Sequence, residues 1–240
     1  MRRTAVNAVY KLAKRGERVV FIGSDLGPGV LDNLKHEMPD RFFMEGISEA
    51  NIVGMAAGLA MEGKIVYVNT IATFMTRRCF EQIVLDLCLH NVNVRLIGTG
   101  AGLVYAPLGP THQAIEDIAI LRAVPNMTIV VPADADEMRR VMPLTVDHPG
   151  PMYIRIARGY DPIVTNDSHP FEIGKAIPMA EGADALIVTT GIGLGASLEA
   201  AEELGRHGLA TAVLHCPTIK PLDTETILDY AAPARVVVSF

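Results

Sequence analysis

Basic runs are missing from this chain. Its formal charge at pH 7 is −6, and lysine and arginine nowhere gather into the stripe that nucleic acid or an anionic membrane needs. Metal-ligand spacing is missing as well. Cys79, Cys88 and Cys216 stand in apolar stretches without a CxxC pair or a Cys/His pattern, so no zinc site is expected and the thiols suit a reduced, buried state in a cytoplasmic protein. The N-terminus, MRRTAVNAVYKLAKRGE, begins basic but continues as an amphipathic helix pattern, which argues against a secretion signal or a membrane span. Internal repeats and low-complexity segments are also absent. These absences leave a small molecule as the expected ligand.

The chain has 240 residues, half of them hydrophobic, enough for one large or two modest cores. Apolar positions Val6, Val9, Tyr10 and Leu12 recur at helical spacing within Thr4 to Lys14. Buried strands are expected at Arg18–Gly23, Arg41–Met44, Lys64–Thr70, Asn93–Gly100, the stretch MTIVVPAD, and Met152–Gly159. Between them lie helical patterns, notably the one within the stretch Phe42–Ala60 that opens near Glu49, then Phe74–His90, Thr111–Val124 with Thr111 as a cap candidate, and Asp134–Val146. Strands alternating with helices argue for an α/β domain over residues 1–160 with a mostly parallel sheet flanked by helices. Residues 161–170 fall in a segment of prolines and polar turn formers and read as a linker. A smaller α/β domain over 171–240 is expected, ending early on an apolar strand, which suggests either a partner chain or a shortened sequence.

Several residues carry candidate chemistry. Asp25, in the turn SDLGPGV just past a strand's carboxyl end, either faces a ligand there or bonds its own turn backbone. Glu49 falls in the first turn of a helix that is apolar on all sides, with Ser48 as a plausible N-cap. It is either a dipole-complementing glutamate or a desolvated carboxyl able to share a proton with a ring nitrogen. Phe74 can stack on a flat heterocycle or simply pack. His112, in GPTHQ, stands between a loop and a helix, where it caps, packs, or exchanges a proton with a substrate oxygen. GIGLGA, Gly191 to Ala196, has the outline of a GxGxxA dinucleotide fingerprint. It lacks the acidic residue about 20 positions on, so a tight strand-to-helix turn is the better account.

Taken together, RFFMEGISEANIVGMAAGLA, the strand and turn to Phe74, GPTHQAIEDIAILRAVPNM, VVPAD and HPGPMYIRIAR resemble the pyrimidine-binding domain of transketolases, in particular the C-terminal subunit of transketolases split over two genes. The resemblance spans roughly Val19 to Gly159, and Phe171 to Phe240 resembles the start of the family's third domain. It implies a thiamine diphosphate cofactor whose aminopyrimidine nitrogen hydrogen-bonds Glu49, the bond that prepares the ring's exocyclic nitrogen to remove the thiazolium C2 proton. It further implies Phe74 as the ring-stacking residue, Asp25 beside the pyrimidine, His112 as a catalytic, substrate-facing histidine and Arg158 as the sugar phosphate's arginine.

No GDG motif with its following asparagines is present, and in the family that element holds Mg2+ and the diphosphate. The resemblance therefore implies a companion N-terminal subunit, a hetero-oligomer with two copies of each chain, no metal ligand on this chain, and a sugar or sugar phosphate substrate. The implied reaction transfers a two-carbon ketol unit from a ketose to an aldehyde. Alternatives are a decarboxylating carboligase subunit like deoxyxylulose phosphate synthase or a 2-oxoacid dehydrogenase, and a non-catalytic binding subunit. Three departures from the pattern bear on the substrate: Leu108 stands where an aspartate is usual, Gly100 where a histidine is, and Gly29 where a serine is. Leucine cannot reward a substrate hydroxyl.

Overall fold

The computed structural model describes residues 1–24, 29, 31–157, 159 and 161–240. The chain opens with α1 (Arg2–Arg15) and β1 (Val19–Gly23), then α2 (Asp32–Glu37), β2 (Phe42–Met44), α3 (Glu49–Met61), β3 (Ile65–Ile71) and α4 (Ala72–Arg78). It continues with α5 (Phe80–Gln82), which runs into a π-helical turn at Ile83–Leu89, then β4 (Val94–Thr99), α6 (Asp117–Arg122), β5 (Thr128–Val130), α7 (Ala135–Leu144) and β6 (Met152–Ile156). The second unit holds β7 (Ile177–Ala180), β8 (Ala185–Thr189), α8 (Gly193–Arg206), β9 (Thr211–His215), β10 (Thr218–Lys220), α9 (Thr224–Ala231) and β11 (Val236–Ser239).

Two sheets result, in the orders β10-β5-β6-β4-β3-β1-β2 and β11-β8-β9-β7. The first is parallel apart from β10, and the second is parallel apart from β7. This is the mostly parallel sheet with flanking helices and a smaller second domain that the alternation of elements leads one to expect. Successive strand residues point to opposite faces, and both faces of the first sheet are covered. Val19 and Phe21 join α1, α2 and α7 in one apolar cluster, while Val20 and Ile22 join α3, α4 and the π-turn in another. Double coverage explains why these strands read as continuous apolar runs.

β10 belongs by sequence to the second unit but hydrogen-bonds antiparallel to β5, at the edge of the first sheet. Lys220 at its end donates Nζ to the carbonyls of Arg122, at 2.9 Å, and Val124 beyond α6. A second tie is fully buried: His215 Nε2 lies 3.0 Å from Glu137 Oε2, which also accepts the Ala133 N–H at 2.6 Å.

Four expectations need correction. The helix foreseen over Phe74–His90 breaks at Cys79, whose backbone (φ −111°, ψ 16°) leaves the helical region. The wider π register beyond it keeps Ile83, Leu87 and Cys88 in the core. The helix foreseen over Thr111–Val124 forms only at Asp117–Arg122, because Arg77 takes the carbonyls of Pro110 and Gln113 at 3.0 and 2.9 Å, and Ala114 pairs with Gly102 in an antiparallel bridge. Ile115, within the segment foreseen as helix, is 67% exposed. Ser48 does not cap α3 with its side chain; its hydroxyl donates to Glu45 O at 2.8 Å. Finally, α3 is buried on one side only: Ala50, Asn51, Gly58 and Met61 are exposed. A Cβ built on Gly54 or Gly58 would meet nothing within 4 Å.

Candidate active site

Parallel registry aligns the carboxyl ends of the central strands, with Gly23 beside Met44 and Asn69, and Ile71 beside Thr99, itself beside Ile156. Every loop leaving those ends emerges on one edge of the sheet, where open α/β folds collect ligands. Glu49 follows β2, Phe74 follows β3, and His112 follows β4. Asp25 and Arg158, each two residues beyond a strand (β1 and β6) in the sequence, lie outside the described residues.

Glu49 is the first residue of α3, and only 5% of it is exposed. The free N–H groups of the first turn favour a carboxylate there. Its Oε2 accepts a hydrogen bond from Arg78 Nη1 at 3.1 Å. The same guanidinium lies over the Phe74 ring, 3.9 Å from its centroid. Arg78 is one turn beyond Phe74 on α4, a spacing that puts two side chains on one helix face. Phe74 in turn meets the His112 ring edge-on at 4.9 Å, and His112 faces Tyr105 at 6.4 Å. The structure thus joins Glu49 and Phe74 through one arginine, with His112 against the Phe74 ring.

The loop bearing His112 is held from outside. Arg77 pairs with Glu116 besides gripping the two carbonyls, and its hydrogen bond keeps the Glu116 carboxyl below its ordinary value. Beneath the loop, the fully buried Asp117 accepts from Tyr153 Oη and from Arg155 Nε, each at 2.8 Å. Burial, aided by the Asp117 charge, pushes the Tyr153 phenol well above its usual range, so it stays a donor. His112 itself pairs through Nδ1 with Thr111 Oγ1 at 2.9 Å. Four residues separate it from α6, so it does not cap that helix.

Two of the positions that depart from the transketolase pattern, Gly100 and Leu108, lie between β4 and α6 on the loop that carries Tyr105 and His112. Gly100 has φ +80°, and a Cβ there would fall 1.8 Å from Tyr105 Cε2: the Tyr105 ring fills the slot that a side chain would need. Leu108 is 57% exposed at the rim of this loop. Gly191 in GIGLGA has φ +56° and packs on Val131, as a tight turn requires. All three cysteines are buried and free. Among the described residues, no group of His, Cys, Asp and Glu is arranged to hold a metal ion, and no helix is long and apolar enough to cross a membrane.

Sequence reasoning missed Arg77 and Arg78. The readable signal was the spacing of Phe74 and Arg78, four residues apart on a predicted helix; nothing local indicated that Glu49 would meet the same group.

The family model described as transketolase, pyrimidine binding domain matches residues 1–160, and that of the transketolase C-terminal domain matches residues 174–240. The chain belongs to the transketolase family. It is 35% identical, over all of its own length and 74% of the relative's, to a 6-deoxy-6-sulfo-D-fructose transketolase subunit from Clostridium sp.. It is 38% identical over 97% of its length to a 1-deoxy-D-xylulose-5-phosphate synthase from Synechococcus sp., of which it spans 36%. A solved split-gene transketolase, described as an inactive beta4 tetramer, superimposes with a TM-score of 0.90 at 36% identity, covering 99% of this chain and 78% of that one.

Proposed function

We propose that this chain is the pyrimidine-binding subunit of a split, thiamine diphosphate-dependent transketolase that passes a two-carbon ketol unit from a ketose or ketose phosphate to an aldehyde. One observation carries the reading: a buried carboxylate at a helix N-terminus and an aromatic face both contact one flat group, the Arg78 guanidinium. An aminopyrimidine is likewise flat, and its ring nitrogen accepts a proton shared with a buried carboxyl, so the pair fits the cofactor's ring. Glu49 would hold that ring by a hydrogen bond to its nitrogen, and Phe74 would stack on its plane. The bound cofactor supplies a carbon nucleophile that takes up the ketol unit from the donor's carbonyl.

Around it, His112 would hydrogen-bond a substrate oxygen and hold or move a proton there, oriented by Thr111 and by the Arg77 clamp on its loop. Asp25 would flank the pyrimidine and Arg158 a substrate phosphate. Mg2+ and the diphosphate would be held by a companion subunit, with two copies of each chain in the assembly, in the cytoplasm. Leu108 and the slot filled by Tyr105 favour a substrate with fewer hydroxyls facing this loop.

Mixing the chain with its companion, thiamine diphosphate and Mg2+ should give ketol transfer between ketose and aldehyde, and Glu49→Ala should lower kcat at least about 100-fold, the scale of a lost acid–base group. Undiminished activity in that variant would reject the role of Glu49. The identity to a deoxyxylulose phosphate synthase favours a second reading, decarboxylating carboligation. Carbon dioxide release from pyruvate, with no turnover of ketoses, would select it.

A further inference from the structure

Glu49 and the Phe74 face are held by one side chain at once, and that side chain is not rooted in the core. The Arg78 guanidinium is bonded to the carboxylate and stacked on the ring, yet the side chain is 47% exposed. Its backbone ends α4, and Cys79 breaks the helix immediately after. Because Glu49 is reached from the face of Phe74 that Arg78 covers, a ring both bonded to Glu49 and stacked on Phe74 would need the place the guanidinium holds. The two exclude each other.

We propose that Arg78 is an internal surrogate for the cofactor's aminopyrimidine, and that cofactor binding is an exchange in which the guanidinium leaves the Glu49–Phe74 cradle as the ring enters. It rests on the reading of Glu49 and Phe74 as the pyrimidine's contacts. The exchange has a physical purpose. A carboxylate that is buried and unpaired is costly, so a partner that can swing into solvent keeps Glu49 compensated until the ring arrives. It also has a cost: affinity falls by the fraction of molecules whose cradle is closed. Stacking of a half-exposed guanidinium together with its hydrogen bond corresponds to a population ratio of about 5 to 30.

The test uses the full chain and a neutral probe, 4-amino-5-hydroxymethyl-2-methylpyrimidine, so that a change of net charge does not itself draw or repel the ligand. Calorimetry should show Arg78→Met binding about 5- to 30-fold more tightly than wild type, with Arg78→Lys, which keeps the charge but not the plane, in between. In NMR spectra, the Arg78 side-chain signals should carry an upfield ring-current shift that Phe74→Leu removes and that saturation with the probe also removes. If Arg78→Met does not fold, the lysine variant and the NMR titration carry the comparison. Equal or weaker binding by the arginine variants, or Arg78 signals unmoved at saturation, would overturn the exchange while leaving the site reading intact. Binding indifferent to Glu49→Ala would reject the site reading, and failure of the wild type and all variants to bind the probe would reject both.

Discussion

Replacing Asp134 with alanine withdraws one carboxylate from five donors. Oδ1 accepts from Asp136 N at 2.9 Å, Glu137 N at 2.8 Å and Thr165 Oγ1 at 2.9 Å; Oδ2 accepts from Val164 N at 2.8 Å and Thr165 N at 2.7 Å. The residue therefore caps α7 and fastens the segment leading to the second domain in one move, and it is fully buried. Loss of a cap costs about 0.5–2 kcal/mol. Two further N–H groups left without an acceptor cost about 1–3 kcal/mol each, and water entering the space recovers part, so the total is about 3–5 kcal/mol. Asparagine should recover only a fraction, since its NH2 would face N–H donors.

In urea at pH 7 the midpoint should fall by about 1–2 M with an unchanged slope. Burial pushes the Asp134 carboxyl up, but the hydrogen bonds from Glu137, Val164 and Thr165 outweigh it and hold the group below its ordinary 3.8. The contribution is therefore complete above that ordinary value and fades as pH falls through the lower, folded one. The gap between wild type and variant should be constant near neutrality and close only in strong acid. A loss below about 1 kcal/mol, where a surface substitution would fall, or full rescue by asparagine, would refute the reasoning.

Burial pushes the Cys79 thiol up to about 12, with the Glu49 carboxylate adding to it, and the Cys88 and Cys216 thiols up to about 11; an aromatic disulfide reagent at pH 8 should label none of the three until urea unfolds the chain. Gly100→Ala should cost about 2–4 kcal/mol in a thermal melt and alter the near-ultraviolet dichroism of Tyr105, because the left-handed backbone and the ring both oppose a Cβ. His215→Ala should cost about 1–3 kcal/mol by leaving the buried Glu137 Oε2 with the Ala133 N–H alone, and hydrogen exchange should quicken in β9 and β10 before it does in β3 and β4.

The strands of the first sheet were readable because burial on both faces makes them unbroken apolar runs. β10 was not, since Thr218–Lys220 carries no such run and becomes a strand only by meeting β5. The shortened α6 has a similar cause: Arg77, more than thirty residues upstream, takes the carbonyls that would continue the helix, and no local pattern reports a competitor at that distance. Glu49 and Phe74 stood out by residue type and by place after a strand, and both reach the same sheet edge. Arg78 escaped because its meaning depends on two partners at once, Phe74 on its own helix and Glu49 on α3.

The edge pairing of β10 with β5 constrains how a gene for such a chain can be divided. A break between the two domains would separate strands that share one hydrogen-bonded ladder and would strip Lys220 from the carbonyls of Arg122 and Val124. Fission there would demand that two polypeptides rebuild a sheet edge in trans. By contrast, an enzyme whose cofactor lies between folded units can be cut between those units without severing a ladder, which makes the boundary of the fold, more than that of the active site, the natural seam for splitting.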